Sequence, residues 1–220
     1  MHSAHREALR FLVPLYVLDA LLLAACFVAP LAPWIEIAAG LFILLTLFIH
    51  YFFRDPERAV PSEATLIVSA ADGLVVSVEE MEEPDFHLGP MIRIAVFLSV
   101  FDVHVNRAPD ECVVKSSVYR PGKFLDARHV EASARNECRS WWLETPRGSL
   151  TVRQIAGLIA RRIVPWADEG SALSRGQRMG MIRFGSRTEV FVPYGCEILV
   201  KPGQRVAGAS TPIARWPAQT

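Results

Sequence analysis

The stretches FLVPLYVLDALLLAACFV (residues 11–28) and IEIAAGLFILLTLFIHYFF (residues 35–53) decide how this chain is organised. Each has about the roughly 17–25 residues that a helix needs to cross a bilayer. Between them, Ala29-Pro30-Leu31-Ala32-Pro33-Trp34 carries two prolines, which stop a helix, and a tryptophan suited to an interface. The pair reads as a helical hairpin. Arg6 and Arg10 precede it, Arg54 and Arg58 follow it, and the loop has neither Lys nor Arg, so the positive-inside rule sets both ends in the cytoplasm. Asp19 and Glu36 are costly in a hydrocarbon layer and leave open a hairpin that lies in the interface. A cleaved signal peptide is disfavoured because a second apolar stretch follows in place of a polar mature start. The plain alternative is a buried helix pair in a soluble core.

Outward from the hairpin the composition changes. The whole chain is 51% hydrophobic and 21% charged over 220 residues, which excludes intrinsic disorder and coiled-coil rods. Lys+Arg 23 against Asp+Glu 23 leaves no electrostatic footprint for nucleic acid, so no nucleic-acid partner is expected. Cys26, Cys112, Cys138 and Cys196 form no C-x-x-C pair, and the six histidines show no paired ligand spacing, so no disulfide framework and no metal site are expected. From Arg54 onward, short β-branched runs alternate with Gly, Pro, Asp and Asn. Strands are expected at 66–69, 74–78, 113–119, 149–155 and 188–192, with a long one at 91–105 broken near Ser99. Asp72-Gly73 reads as a tight hairpin turn between the first two. Residues 126–139 read as a surface loop or short helix. The predicted fold class is α+β: an N-terminal tail and hydrophobic helical hairpin (1–53), then one mainly antiparallel β-rich catalytic domain (54–220).

Three residues supply the types needed to activate a weak nucleophile: Asp72 a carboxylate, His104 an imidazole, Ser186 a hydroxyl. Each also has a plain reading, as hairpin Asp-Gly, core histidine and turn serine. Gly185-Ser186-Arg187 lacks the framing glycines of a nucleophile elbow, which disfavours a serine hydrolase. Arg161-Arg162, Arg183 and Arg187 suit a phosphate, although solvated surface arginines are the ordinary alternative. Phe97, Phe101 and Phe124 suit acyl chains or an ordinary core.

Several segments taken in order resemble the phosphatidylserine decarboxylase proenzymes, in their short prokaryotic form. They are Tyr51-Phe52-Phe53-Arg54-Asp55-Pro56-Glu57-Arg58, Ala71-Asp72-Gly73, Phe101-Asp102-Val103-His104-Val105-Asn106-Arg107-Ala108-Pro109 and Tyr119-Arg120-Pro121-Gly122-Lys123-Phe124. Gln154-Ile155-Ala156-Gly157, running into Ala160-Arg161-Arg162, and Arg183-Phe184-Gly185-Ser186-Arg187 complete the set. The resemblance implies self-cleavage at Gly185-Ser186 into a large chain (1–185) and a small chain (186–220). It implies a covalent pyruvoyl group derived from Ser186, which decarboxylates phosphatidylserine to phosphatidylethanolamine through a Schiff base. By the same resemblance Ser186, His104 and Asp72 are catalytic, and Arg107, Lys123, Arg183 and Arg187 are candidates for substrate binding. The implied partners are phosphatidylserine, the membrane, the two chains of the proenzyme and a second copy in a homodimer. The implied location is the cell membrane, with the catalytic domain on the cytoplasmic side. The long forms carry H-x-x-H where this chain has His104-Val105-Asn106-Arg107, and a guanidinium is no base at neutral pH. The competing expectations are a membrane-anchored β-rich scaffold and a pyruvoyl-dependent decarboxylase of a soluble amino acid.

Overall fold

In the computed structural model, residues 4–28, 33–129, 131–158, 162–183 and 186–218 are described. The chain divides into two compact units, Met1–Pro56 and Glu57–Thr220. In the first, α1 (Ala4–Val28) and α2 (Pro33–Phe52) are both long and apolar enough to cross a membrane. Most of their large apolar side chains face outward, with Val17, Leu21, Ile37, Leu41, Leu44 and Leu47 exposed, which is the reverse of a helix pair in a soluble core. The Asp19 carboxylate is met across the hairpin by the Thr46 hydroxyl, which donates to Oδ2 at 2.7 Å. Glu36 lies in the first turn of α2, where the helix dipole favours an anion. The Arg54 guanidinium donates to the Tyr51 carbonyl at 2.8 Å and so satisfies part of the helix end, and Pro56 prevents its continuation.

The second unit is a β-structure. Its strands are β1 (Leu66–Val68), β2 (Gly73–Glu82), β3 (Pro90–Leu98), β4 (Val105–Arg107), β5 (Cys112–Arg120), β6 (Cys138–Thr145) and β7 (Gly148–Ile155). They continue as β8 (Arg162–Pro165), β9 (Ala172–Leu173), β10 (Arg178–Arg183), β11 (Ser186–Pro193), β12 (Glu197–Ile198), β13 (Arg205–Val206) and β14 (Pro212–Arg215). One short helix, α3 (Ala132–Arg135), lies between β5 and β6. The pairings are antiparallel. An eight-stranded sheet runs β13-β2-β3-β11-β7-β6-β5-β9, and two three-stranded sheets run β1-β14-β12 and β4-β10-β8. One core includes Ile67, Ile94, Val96, Trp141, Val190 and Ile213. The long apolar run does break at Ser99: β3 ends at Leu98, and the Asp102 carboxylate accepts from the Ser99 backbone N–H at 2.8 Å and its hydroxyl at 2.7 Å.

Two expectations need correction. Asp72-Gly73 is not a hairpin turn, because β1 pairs with β14 while β2 pairs with β3 and β13. Glycine is required there for another reason: its φ is +149°, and a Cβ would lie 2.1 Å from the Phe97 carbonyl oxygen. Residues 126–139 do hold the expected short helix, α3, but they are not all surface, since Ala127, Ala132, Ser133 and Asn136 are buried. Asn136 ties this excursion to the sheet by donating to the Leu125 and Ala156 carbonyls, both at 2.8 Å.

Candidate active site

Ser186 is the first residue of β11, a strand buried on both faces and flanked by β3 and β7. Side chains alternate along a strand. Ser186, Thr188, Val190 and Val192 therefore share one face, and the last two belong to the core cluster. The opposite face carries Arg187, Glu189 and Phe191. The Ser186 hydroxyl is buried and has no hydrogen-bond partner among the described residues. Gly185, on the other side of the expected cleavage bond, lies outside the described residues, as does Arg161.

His104 immediately precedes β4 and is fully buried. Its Nδ1 lies 2.9 Å from the Asp102 backbone carbonyl, which only accepts. That fixes the proton of the neutral ring on Nδ1 and makes Nε2 the basic nitrogen. Two hydrogen bonds tie the segment around His104 to residues on either side of Ser186. The Ile182 N–H donates to the His104 carbonyl at 3.2 Å, four residues before Ser186, and the Asn106 amide donates to Thr188 Oγ1 at 2.9 Å, two residues after it.

Asp72 stands one step back. Its Oδ2 pairs with Arg58 at 2.5 Å and its Oδ1 accepts from the Gly208 N–H at 2.8 Å. Both contacts hold the 69–73 segment, whose Ala70 carbonyl accepts from the Arg107 N–H at 2.9 Å and from the Asn106 amide at 3.3 Å. Asp72 therefore reaches β4 through backbone. Arg107 is buried and donates to the Gly176 carbonyl at 3.1 Å. Lys123 is exposed on the excursion that leads to α3, where its backbone bridges Asn136. Gly122 before it is crowded, since a Cβ there would lie 2.4 Å from the Asn136 carbonyl carbon.

Arg183 and Arg187 are not surface arginines. Both are buried, and Arg187 Nε lies 2.9 Å from Glu189 Oε1. Arg93 and Arg153 approach the same carboxylate at 3.5 and 3.8 Å. Burial pulls the Arg187 guanidinium down from its ordinary value, against the opposing pull of Glu189. Arg162, by contrast, is exposed.

A cavity of about 230 Å³ opens at the end of β3, lined by Phe97, Ser99, Val100, Asp126, Ala127, Arg128 and Leu158. Phe97 and Ser99 flank Leu98, the residue paired with Ser186. Phe101 and Leu158 at this end are each 63% exposed, so Phe101 is not a core residue. Arg128 bonds the neighbouring Asp126 carboxyl and lowers it to about 2.

Sequence reasoning did not single out Asp102, Asn106, Gln154 or Thr188. For Asn106, Gln154 and Thr188 the available signal was a polar side chain at a buried strand position, and for Asp102 an acid inside the long apolar run.

A family model described as phosphatidylserine decarboxylase matches residues 45–214. The chain is similar to a phosphatidylserine decarboxylase proenzyme of Symbiobacterium thermophilum, 48% identical over 191 residues, covering 86% of this chain and 89% of that protein. A protein of the same name from Geotalea daltonii is 46% identical over 196 residues, covering 88% and 90%. Another from Carboxydothermus hydrogenoformans is 44% identical over 213 residues, covering 96% and 95%.

Proposed function

The chain belongs to the phosphatidylserine decarboxylase family, and from that premise we propose that it cuts its own backbone at Gly185-Ser186 and then decarboxylates phosphatidylserine through a pyruvoyl group made from Ser186. The observation that carries this reading is the Ser186 hydroxyl, buried without a hydrogen-bond partner among the described residues at the start of a strand fixed on both sides. An unsatisfied buried hydroxyl costs about 1–3 kcal/mol. Such a cost at the family's cleavage position fits a group kept for chemistry.

In self-cleavage the Ser186 Oγ adds to the Gly185 carbonyl carbon while its proton passes to a base. The Gly185–Ser186 C–N bond breaks, the nitrogen takes up a proton, and an ester joins the two residues. Removal of the Ser186 Cα proton then expels the Gly185 carboxylate from Cβ and leaves dehydroalanine. Its imine tautomer takes up water and loses ammonia, giving the ketone at the head of the small chain. His104 is suited to both proton transfers because its basic nitrogen is Nε2 and its ring is held by the Asp102 carbonyl. Arg107, always protonated, binds and orients rather than acting as a base. Asp72 works at one remove, holding the segment that hydrogen-bonds β4. The pyruvoyl group supplies a carbonyl that condenses with the substrate amine and accepts the electrons released with CO2.

The two apolar helices hold the enzyme at the bilayer where its substrate lies. Arg6, Arg10 and Arg54 at their outer ends favour the cytoplasmic side for the catalytic unit. The cavity beside Ser186, with Phe101 and Leu158 exposed at that end, suits entry of a lipid from an apolar layer. The test is CO2 release from vesicles containing phosphatidylserine. The wild type is expected to release it and to lose activity on borohydride treatment with substrate present. Activity in Ser186→Ala would refute the pyruvoyl route.

A further inference from the structure

Gln154 ends a chain of buried amides that starts beside His104. The Asn106 Nδ2 donates to the Ala70 carbonyl and to Thr188 Oγ1. Because a backbone carbonyl can only accept, the orientation of the Asn106 amide is fixed, with its Oδ1 turned to Gln154. Oδ1 receives the Gln154 Nε2–H in a short hydrogen bond. The Gln154 orientation is fixed in turn, leaving Oε1 as the atom at the end of the chain. That oxygen is buried and has no hydrogen-bond partner among the described residues. Room for the amide is made by Gly180, where a Cβ would lie 3.2 Å from Gln154 Nε2.

The second orphaned atom on the same face is the Ser186 hydroxyl. Gln154 on β7 is paired directly with Thr188 on β11, so Ser186, two residues earlier, is its diagonal neighbour. Diagonal neighbours in an antiparallel pair have Cα atoms about 7–8 Å apart, within reach of a long side chain. Among the described residues, one atom is an acceptor without a donor and the other a donor without an acceptor.

We propose that Gln154 is a positioning residue for self-cleavage: its Oε1 accepts the Ser186 hydroxyl and holds Oγ for attack, while Asn106 links that register to the strand entered from His104. The inference rests on the cleavage reading above. An amide is no base at neutral pH, so Gln154 orients the hydroxyl and the proton goes elsewhere.

The test follows conversion of the full-length precursor by intact mass after cell-free synthesis with phosphatidylserine vesicles, across a range of pH, so that decarboxylase activity is not the readout. Gln154→Met keeps the bulk and removes the acceptor, and conversion is expected to slow about tenfold or more. Gln154→Glu discriminates orientation from packing. A protonated carboxyl offers the same donor to Asn106 and the same acceptor to Ser186, and burial favours that form. An ionised carboxylate has no donor for Asn106. The ratio of Q154E to wild-type conversion is therefore expected to be near one at the acid end and to fall as pH rises, with the melting temperature measured for each variant. Q154M converting at the wild-type rate, or a Q154E ratio that stays flat with pH, would overturn the positioning role. A wild-type precursor that is never cut would instead overturn the cleavage reading, and the positioning role with it.

Discussion

Replacing Glu189 with Gln tests whether β11 is held by charge as well as by its ladder. Glu189 is fully buried, and its carboxylate lies 2.9 Å from Arg187, 3.5 Å from Arg93 and 3.8 Å from Arg153. Arg93 keeps Glu79 and Arg153 keeps Asp85 when this carboxylate is neutralised, but Arg187 loses the anion it touches. Breaking a buried pair by removing one partner costs about 3–5 kcal/mol, because the other charge stays buried. Stability in a domain of this size falls by roughly 2–4 °C in melting temperature per kcal/mol, so the expected drop is roughly 6–20 °C. The assay is thermal unfolding by circular dichroism in the Ser186→Ala background, where each molecule is one uncut chain. A drop below about 2 °C would refute the argument that Glu189 balances these arginines. Arg187→Leu combined with Glu189→Leu should recover much of the loss, since an apolar pair of similar bulk replaces a buried ion pair at little cost.

His104→Ala is expected to slow self-cleavage by about 10²–10⁴-fold, measured as conversion of the precursor by intact mass; conversion at the wild-type rate would remove its role in proton transfer. Gly73→Ala puts a Cβ 2.1 Å from the Phe97 carbonyl oxygen at a φ of +149°, so a loss of about 1–3 kcal/mol or more is expected in a denaturant titration. Burial pushes the Cys112 thiol up to about 12 and the Cys196 thiol up to about 11, from an ordinary value of 9.0. Above that ordinary value the unfolded chain releases thiol protons that the folded chain retains, so stability falls as pH rises into that window. A Cys112→Ala and Cys196→Ala double variant should show a flatter alkaline limb in its stability curve.

The hairpin was legible because bilayer thickness sets a length, and two successive apolar stretches both match it. The β-rich unit was legible from its alternation of β-branched runs and turn residues, and the break at Ser99 from polarity inside an apolar run. β6 was not anticipated, because Cys138–Thr145 mixes Arg, Ser and Glu with two tryptophans and its alternation shows only once Trp141 and Leu143 face the core. Asp72-Gly73 misled for a related reason: the dipeptide's turn preference is local, while β1 pairs with β14, more than a hundred residues away, and β2 pairs with β3 and β13 instead of β1. Ser186 and His104 were singled out by residue type and by resemblance. Asn106, Gln154 and Thr188 were not singled out, since their shared hydrogen bonds join residues 48 and 82 positions apart. Arg187 looked like a surface residue because the anion that buries it lies two positions on, on the same face of the same strand.

Intact mass spectrometry of the purified protein under denaturing conditions tests the central claim most directly. The account predicts two chains that meet at Gly185 and Ser186, with the smaller one lighter than a serine-started peptide by one ammonia. A single uncut chain of 220 residues from a preparation folded in the presence of phosphatidylserine vesicles would contradict it.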